Sequence, residues 1–429
     1  MIIQIVKYFL LGICTCMLVF LQSCKEKETA KQTAESLINT SHLDALYEEV
    51  MMGMDTVGVV HIYAEYPEYK WVGDDDEGYA CVDDASRAAI FYLRQHQMTP
   101  SSEHLRKGRM LIKFLLKMQA PNGYYYNFLW PDGSIHKDGM TSKPEPNFWS
   151  WRTLWAFGEA LEVLNEEDAL VSEIKSQRQK LVRVLMQHPT YNQSATDTSM
   201  GWTFPTWLPK ISGTDQAAIV IMGLTLMHGQ LVDQDSLQKD SLESFMNHFA
   251  EGIILMQIEQ PDSFQNGAFL SWENLWHAYA NVQSYALLEF GELVDDEHLI
   301  SHALYEIDHF YPALMNKGGL HHFSIRVDSG VIKRYDTQQF SQIAYGQRPM
   351  IWAALKAYDV TKEEKYLSLA RDLGSWFLGG NAAKTPMYDA KTGRGYDGIS
   401  DAGNINKNAG AESTIEALLS LQALERYAE

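Results

Sequence analysis

Acidic side chains that could transfer protons occur near both ends of this 429-residue chain. Asp83 and Asp84 open a strongly apolar segment, and Glu412 begins the last apolar segment. Two carboxyl groups on opposite sides of a glycosidic bond can hydrolyse it, because one protonates the leaving oxygen and the other activates water or attacks the sugar. These acids are chemically suited to that reaction if the fold brings them together.

The local sequence around each acid indicates its role. A helix N-terminus at Glu412 favours the ionised carboxylate, whereas partial burial raises its pKa towards the value that a general acid requires. The alternative is that Glu412 only caps the helix. Of Asp83 and Asp84, one can cap its own helix while the other points into a cleft. Arg87, one turn later, can orient or neutralise a carboxylate.

The elements that must position these residues are helices. From about residue 40 onward, apolar residues recur at the i, i+3, i+4 and i+7 spacing of amphipathic helices. The predicted helices cover residues 42–52, 83–97, 103–118, 148–164, 168–187, 214–230, 240–257, 274–291, 296–312, 340–358, 363–378 and 411–427.

The connections alternate between short turns and long loops rich in Gly, aromatic and amide residues. This alternation predicts an all-α fold, an (α/α)6 toroid of six helical hairpins whose long loops form a cleft at one end. The alternative is an open α-solenoid. In a closed ring the first and last hairpins are neighbours, which is the physical reason for pairing Asp83 and Asp84 with Glu412.

Several polar and aromatic residues are candidates for substrate binding. The chain has 11 Trp and 22 Tyr, and these side chains prefer to keep a polar edge exposed. The loop before the last helix is unusually long and rich in Gly, Asn and Asp, which is typical of functional loops. The substrate-binding candidates are Arg87, Tyr125, Trp149, Trp151, Arg152, Trp202, Trp272, Tyr396, Asn406 and Asn408.

The charge of the chain limits its partners. A formal net charge of −20 argues against nucleic acid, whose phosphates it would repel. The acidic run Asp74–Glu77 could hold a divalent cation through oxygen ligands, but such runs are more often solvated loops. We therefore expect no metal and no cofactor, a carbohydrate ligand and a monomeric protein.

The N-terminus predicts export. Lys7 precedes an apolar run as long as the hydrophobic core of a signal peptide, and Leu21-Gln22-Ser23-Cys24 follows. This arrangement resembles a bacterial lipoprotein signal, which implies cleavage before Cys24 and lipidation of its thiol. We expect a signal peptide at 1–23, a flexible tether at 24–38 and a single catalytic-type domain at 39–429. The protein would then be periplasmic, or anchored to the outer membrane or cell surface.

The overall plan resembles the six-hairpin glycosidase superfamily and is distantly similar to family 9 glycoside hydrolases. The residues that carry the similarity are the Gly380-Asn381 turn, the loop that follows it, and Glu412 at the opening of the last helix. The resemblance implies inversion, with Glu412 as general acid and Asp83 or Asp84 as base. The Asp-Ala-Gly-Asp element of family 9 is replaced here by Asp-Asp-Ala-Ser-Arg, so which Asp is the base stays open.

The sequence leaves three functions open. The leading hypothesis is an inverting glycoside hydrolase that acts on an oligo- or polysaccharide. The second is a polysaccharide lyase or unsaturated-uronyl hydrolase on the same toroid. The third is a non-catalytic glycan-binding lipoprotein, which would not need a pair of carboxyl groups.

Overall fold

The computed structural model describes residues 36–232 and 235–427, and one compact unit spans Ile38–Tyr427. The predicted signal peptide, the lipidation site Cys24 and most of the predicted tether lie outside the described residues. None of the described helices combines the length and the apolar character needed to cross a membrane.

Helices dominate the described part of the chain. Its α-helices are α1 (Ser41–Leu46), α2 (Val82–Met98), α3 (Ser102–Lys117), α4 (Phe148–Val163), α5 (Ala169–Met186), α6 (Thr214–Gly229), α7 (Ser236–Ile254), α8 (Gln283–Val294), α9 (Glu297–Asn316), α10 (Arg348–Thr361), α11 (Glu364–Gly374) and α12 (Ala411–Glu425). Short 3-10 helices span Ala344–Gly346 and Ser375–Leu378.

The six even-numbered helices form a closed inner ring. Each contacts the next one in the chain, and α12 packs against α2. Helices α3, α5, α7, α9 and α11 each pack on the inner helix that precedes them, and the short α1 packs against α12. The (α/α)6 toroid predicted from the sequence is therefore confirmed, and the chain closes on itself instead of forming an open solenoid.

Burial distinguishes the two layers. In the inner helix α6, every residue from Thr214 to Thr225 is buried, as expected for a helix surrounded by others. In the outer helix α3, the buried residues fall three or four apart and form one stripe that faces the inner ring. Inner helices α4 and α6 also approach closely, since a Cβ on Gly223 would lie 2.7 Å from Leu154.

The connections differ at the two ends of the ring. Inner helices lead to outer helices through short turns, as at 99–101, 295–296 and 362–363. Outer helices lead to the next inner helix through long connections, at 118–147, 187–213, 255–282, 317–347 and 375–410. Each long connection ends where an inner helix begins, so the long loops and the first turns of the inner helices share one end of the ring.

Antiparallel strands stiffen the loops. The strands are β1 (Tyr47–Met52), β2 (Asp55–Val60), β3 (Tyr63–Glu65), β4 (Lys70–Val72), β5 (Ala80–Cys81), β6 (Phe128–Leu129), β7 (Thr196–Ser199), β8 (Trp202–Pro205), β9 (Leu275–His277), β10 (His322–Asp328), β11 (Val331–Gln338), β12 (Tyr388–Asp389), β13 (Arg394–Gly395), β14 (Gly398–Asp401) and β15 (Asn404–Asn406). All of them pair in twos except the three-stranded sheet β11-β10-β9.

One predicted helix is wrong over half of its length. Residues 42–52 were expected to be helical, but α1 ends at Leu46 and Tyr47–Met52 form β1. β1 pairs antiparallel with β2 through the full length of both strands. Gly53, at φ 68°, makes the tight turn between them. Pairing with β2 therefore overrides the local helical pattern.

A buried carboxyl group in the outer layer predicts a pH-dependent stability. Glu306 on α9 is 2% exposed, and its oxygens accept hydrogen bonds from the Phe269 amide at 3.0 Å and the Ser284 hydroxyl at 2.7 Å. Burial raises the pKa of Glu306 to about 7, although these hydrogen bonds oppose the shift. The folded protein therefore keeps a proton that the unfolded chain releases, and its free energy of unfolding falls as pH rises from about 4.5 to about 7.

The variant Glu306→Gln is expected to remove this dependence, because a neutral amide does not ionise. It should unfold with a free energy ~2–3 kcal/mol above wild type at pH 8 and similar to wild type at pH 4.5. Urea denaturation at both pH values measures the difference. The exposed Glu167→Gln is the control, and an equal change at both pH values would contradict the interpretation.

Candidate active site

The first turns of the inner helices meet at the loop end of the ring, and Arg87 on α2 is the centre of the contacts there. Its side chain is 1% exposed. One guanidinium nitrogen lies 2.6 Å from Asp84 Oδ1 and 3.2 Å from Glu412 Oε2, and the other lies 2.8 Å from Glu416 Oε1. An ion-pair network therefore joins α2 and α12. This agrees with the prediction that the first and last hairpins are neighbours in a closed ring.

Two further arginines extend the network. Arg152, in the first turns of α4, donates to Asp83 Oδ2 and to the Tyr345 hydroxyl. Arg348, the first residue of α10, donates through Nε to the fully buried Glu416. Arg348 and Glu416 belong to the same cluster, and sequence reasoning did not single out Glu416.

Asp83 and Asp84 occupy different environments. Asp84 is 3% exposed, and its two oxygens are used by Arg87 and by the Cys81 thiol, which lies 3.3 Å away. Cys81 is also the N-cap of α2, since its sulfur accepts the Asp84 backbone N–H. Asp83 has a side chain that is 21% exposed, and its Oδ1 has no hydrogen-bond partner among the described residues. Both oxygens of Asp84 are therefore engaged, whereas the Oδ1 atom of Asp83 is buried without a hydrogen-bond partner among the described residues.

Burial raises the pKa values of both acids. The pKa of Asp83 is raised to about 7 and that of Asp84 to about 6, with Arg87 opposing the shift in each case. Arg152 favours the ionised form of Asp83 as well, because it contacts the carboxylate directly. Burial disfavours the ionised form of Glu416, but Arg348 and Arg87 together hold its pKa below the ordinary value.

Glu412 is the most accessible acid of the network, with a side chain that is 43% exposed. The N-cap of α12 is Gly410, so Glu412 does not cap its helix. Asp83 Oδ2 and Glu412 Oε2 lie 3.8 and 3.2 Å from the same nitrogen of Arg87. They are therefore at most about 7 Å apart, an upper limit that allows both a retaining pair at about 5 Å and an inverting pair from about 6.5 Å.

A second cluster, of histidine and tyrosine, lies at the same end of the ring. The Tyr279 hydroxyl contacts His321 Nε2, and His321 Nδ1 lies 2.7 Å from His322 Nδ1. His322 Nε2 is in turn 3.6 Å from Asp336 Oδ2. Burial raises the pKa of Tyr279, and the charge of Glu412 raises it further, so the two clusters influence each other electrostatically.

His277 adds to this second cluster. Strand β9 places its Nε2 atom 3.4 Å from Asp215 Oδ2, at the start of α6. Burial lowers the pKa of His321, which favours a neutral imidazole that can pass a proton in either direction. Sequence reasoning did not single out His321 as a site residue. The adjacent pair His321-His322 in a Gly-rich loop was the available signal.

The aromatic candidates divide into core and surface residues. Tyr125 and Trp151 are fully buried, which corrects the expectation that they bind substrate, because neither ring has surface left to contact a sugar. Trp149 is 6% exposed, and its indole N–H donates to the Tyr125 carbonyl at 2.7 Å. Trp202 is half-buried, whereas Trp272 is 40% exposed and retains a face that a ligand could stack on.

The candidates on the last long loop support that loop. Asn408 accepts the Tyr66 backbone N–H through its side-chain oxygen, and Asn406 accepts the Asn408 backbone N–H in the same way. Tyr396 is half-buried and lies beside Tyr69, each influencing the pKa of the other. No contact joins these three candidates to Arg87 among the described hydrogen bonds.

The acidic run folds back on itself. Asp74 Oδ1 accepts the backbone N–H groups of Asp76 and Glu77 at 2.7 and 3.0 Å, and Glu77 accepts the Tyr63 hydroxyl at 3.1 Å. Across residues 36–232 and 235–427, no three His, Cys, Asp or Glu side chains are grouped so that they could hold a metal ion.

Comparisons with known proteins identify solved structures with a similar fold. No family model matches the chain, and no curated protein matches its sequence. Its structure is similar to a cellobiose 2-epimerase from Bacillus thermoamylovorans B4167, with 14% identity, a TM-score of 0.59 and coverage of 90% of this chain and 95% of that one. It is also similar to a D-mannose isomerase, with 13% identity, a TM-score of 0.59 and coverage of 92% and 100%.

A glycoside hydrolase of family 76 from a bovine Bacteroides thetaiotaomicron strain is a further structural neighbour. It shares 13% identity at a TM-score of 0.54, over 92% of this chain and 78% of that one. The chain therefore shares its fold, the closed ring of helical hairpins, with these proteins. The neighbours are carbohydrate-active enzymes that include both hydrolases and epimerases.

Proposed function

We propose that this protein is a carbohydrate-active enzyme that hydrolyses glycosidic bonds, with Asp83 and Glu412 as its pair of carboxyl groups. The observation that carries the proposal is the convergence of these two acids on Arg87, from opposite ends of the chain and at the loop end of the ring. Glu412, with a side chain that is 43% exposed, also remains accessible to a ligand.

The environments of the two acids support distinct roles. Glu412, which is the more accessible, is assigned as the acid that protonates the leaving oxygen. Asp83 is assigned as the base, because its Oδ1, although buried, has no hydrogen-bond partner among the described residues and a base is most effective when its pKa lies near the working pH. Asp84, with both oxygens engaged, is assigned to holding Arg87 in place.

A second candidate function is isomerisation or epimerisation of a reducing sugar. The observation that favours it is the chain of hydrogen-bonding groups Tyr279, His321 and His322, which could remove and return a proton at a carbon beside a carbonyl. Two of the similar structures are named as an epimerase and an isomerase of sugars. Carboxylates are not required for that reaction if the imidazoles carry the proton.

Product analysis in heavy water separates the two reactions. The full-length protein is incubated with reducing and non-reducing oligosaccharides in D₂O, and new reducing ends and carbon-bound deuterium are measured. Hydrolysis is expected to create reducing ends without deuterium on carbon. Carbon-bound deuterium without bond cleavage would overturn the proposal in favour of epimerisation, and a new ultraviolet absorbance would indicate a lyase.

A further inference from the structure

A cleft of about 430 Å³ lies against the hairpin of β1 and β2. Its walls come from β1, from β4, from the residues just after β2 and just before β5, and from the turn at 131–133. The volume falls within the range of about 300–1,000 Å³ that is typical of small-molecule sites. None of the residues that line it takes part in the ion-pair network around Arg87. The lining of this hairpin cleft includes Glu48, Met51, His61, Trp71, Tyr79 and Asp132.

Trp71 gives the hairpin cleft an accessible aromatic wall. The residue is 47% exposed. One face of its indole stacks on the His61 ring, with the centroids 3.7 Å apart and the planes 15° from parallel. Its N–H donates to the Ala45 carbonyl at 3.0 Å. Because His61 covers only one face, the exposed area lies on the other face and the edges. A ring held at two points is preorganised, so a ligand that stacks on it spends little free energy on ordering it.

Two carboxyl groups in the same cleft are within reach of a ligand. Glu48 accepts a hydrogen bond from His61 Nε2 at 2.8 Å through Oε2. Its Oε1 has no hydrogen bond among the described residues and is open to solvent, since the side chain is 40% exposed. Asp132 is exposed, and hydrogen bonds from Ser134 lower its pKa, so this carboxyl is ionised at neutral pH. The cleft therefore offers acceptors at its surface.

No basic side chain balances these acids within the cleft. The described residues that line it include neither Lys nor Arg. Burial lowers the pKa of His61, although Glu48 opposes the shift, so the imidazole is neutral at neutral pH. An exposed indole face beside carboxylates favours a cation, because the ring quadrupole and the carboxylates both attract positive charge. The same charges repel an anion.

We propose that the hairpin cleft is a second binding site, and that its ligand is an amino sugar with a free amino group. The ammonium group binds Glu48, and the C–H face of the sugar stacks on Trp71. Asp132 accepts hydrogen bonds from the hydroxyl groups. A bare ammonium ion would leave most of the cleft empty and the indole without an apolar partner. This site is separate from the carboxyl pair, so it does not depend on the proposed hydrolysis.

Isothermal titration tests the proposal with glucosamine as the probe, at about pH 7, below the pKa of an ordinary amine. Glucose and N-acetylglucosamine are the neutral comparisons, and choline is a cation without a sugar ring. The experiment uses full-length protein carrying Glu412→Gln, so that the active-site acid contributes nothing to the binding of a cation. Glucosamine is expected to bind with a Kd about tenfold or more below that of glucose, because it adds a charge-assisted hydrogen bond.

Substitutions in the cleft locate the bound probe. Adding Glu48→Gln keeps an acceptor for His61 but removes the charge, and it should raise the Kd of glucosamine about tenfold. Glu48→Lys places an ammonium in the cleft and should abolish binding. Trp71→Leu keeps an apolar side chain without the aromatic face and should raise the Kd about fivefold or more. Thermal unfolding checks that each variant is folded.

Glu68→Gln is the matched control, because it makes the same chemical change at an exposed residue outside the cleft and should leave the Kd unchanged. The proposal is overturned if glucosamine does not bind, if glucose binds as tightly, or if Glu48→Gln keeps the parent Kd. Choline binding as tight as that of glucosamine would overturn the assignment to a sugar. Failure to hydrolyse glycans would contradict only the proposed function.

Discussion

Replacing Glu412 with glutamine is expected to lower kcat for glycan hydrolysis by about 10²–10⁴-fold, which is the usual contribution of a general acid. The amide keeps the shape of the side chain and can still accept a hydrogen bond from Arg87, but it has no proton to give to the leaving oxygen. Because the side chain is 43% exposed, the melting temperature should change little. Initial rates on an active glycan and thermal unfolding measure the two effects.

Asp75→Asn is the matched control for this prediction. It removes one negative charge from an exposed loop residue and should retain the wild-type kcat. A substrate with a good leaving group should be less affected by Glu412→Gln, since its departure needs less protonation. Near-wild-type turnover of all substrates by Glu412→Gln would rule out the acid role, and tight oligosaccharide binding without product in the wild type would favour a binding protein.

The base role of Asp83 predicts that the rate of glycan hydrolysis depends on pH. Asp83 must be ionised to activate water, so kcat/KM should rise as pH increases through about 7, the pKa to which burial raises this carboxyl. Asp83→Ala should abolish that rise, and added formate should restore part of the rate by supplying a carboxylate in the vacated space. Restoration distinguishes a base from a residue that only holds Arg152 in position.

Replacing Arg87 with methionine is expected to lower the free energy of unfolding by about 3–5 kcal/mol. The substitution leaves Asp84, 3% exposed, with no cation at its Oδ1, and it removes one of the two arginines that neutralise Glu416. A buried carboxylate without its cation is far costlier than a hydrophobic replacement of the whole pair. Urea denaturation at neutral pH measures the loss.

A charge-balanced double variant provides the control for Arg87. Combining Arg87→Met with Asp84→Asn should recover part of the lost stability, because the buried negative charge is removed together with the positive one. Arg87→Lys should fall between wild type and Arg87→Met, since an ammonium keeps the charge but lacks the planar fork. A loss below about 1 kcal/mol for Arg87→Met would show that Arg87 does not stabilise the junction of α2 and α12.

The helices were the most predictable part of this protein. The predicted segments 83–97 and 411–427 correspond closely to α2 and α12, because their apolar residues repeat with the helical period over several turns. The predicted helix 274–291 was correct only in its second part, since β9 occupies Leu275–His277 and α8 begins at Gln283. β9 pairs with β10, which is distant in the chain, so the local sequence pattern does not predict this strand.

The candidate site was predictable in part for the same reason. Asp83, Asp84 and Glu412 mark the starts of helices, and closure of a ring of hairpins makes those starts neighbours. The histidine and tyrosine cluster was not predictable, because its groups lie on irregular loops whose positions depend on strand pairing. Tyr125 was instead wrongly predicted to bind substrate. Its sequence surroundings resemble an exposed loop, but the fold buries it completely.

The sequence by itself determined the helical layers, the closed ring and the end of the ring at which the acids gather. Those features follow from residue periodicity and from the lengths of the connections, and both are local properties of the sequence. Only the tertiary structure decided that Arg87 lies between the acids and that Asp84 is engaged on both oxygens while Asp83 is not. Those features depend on distances between side chains from separate hairpins, which packing of the whole ring sets.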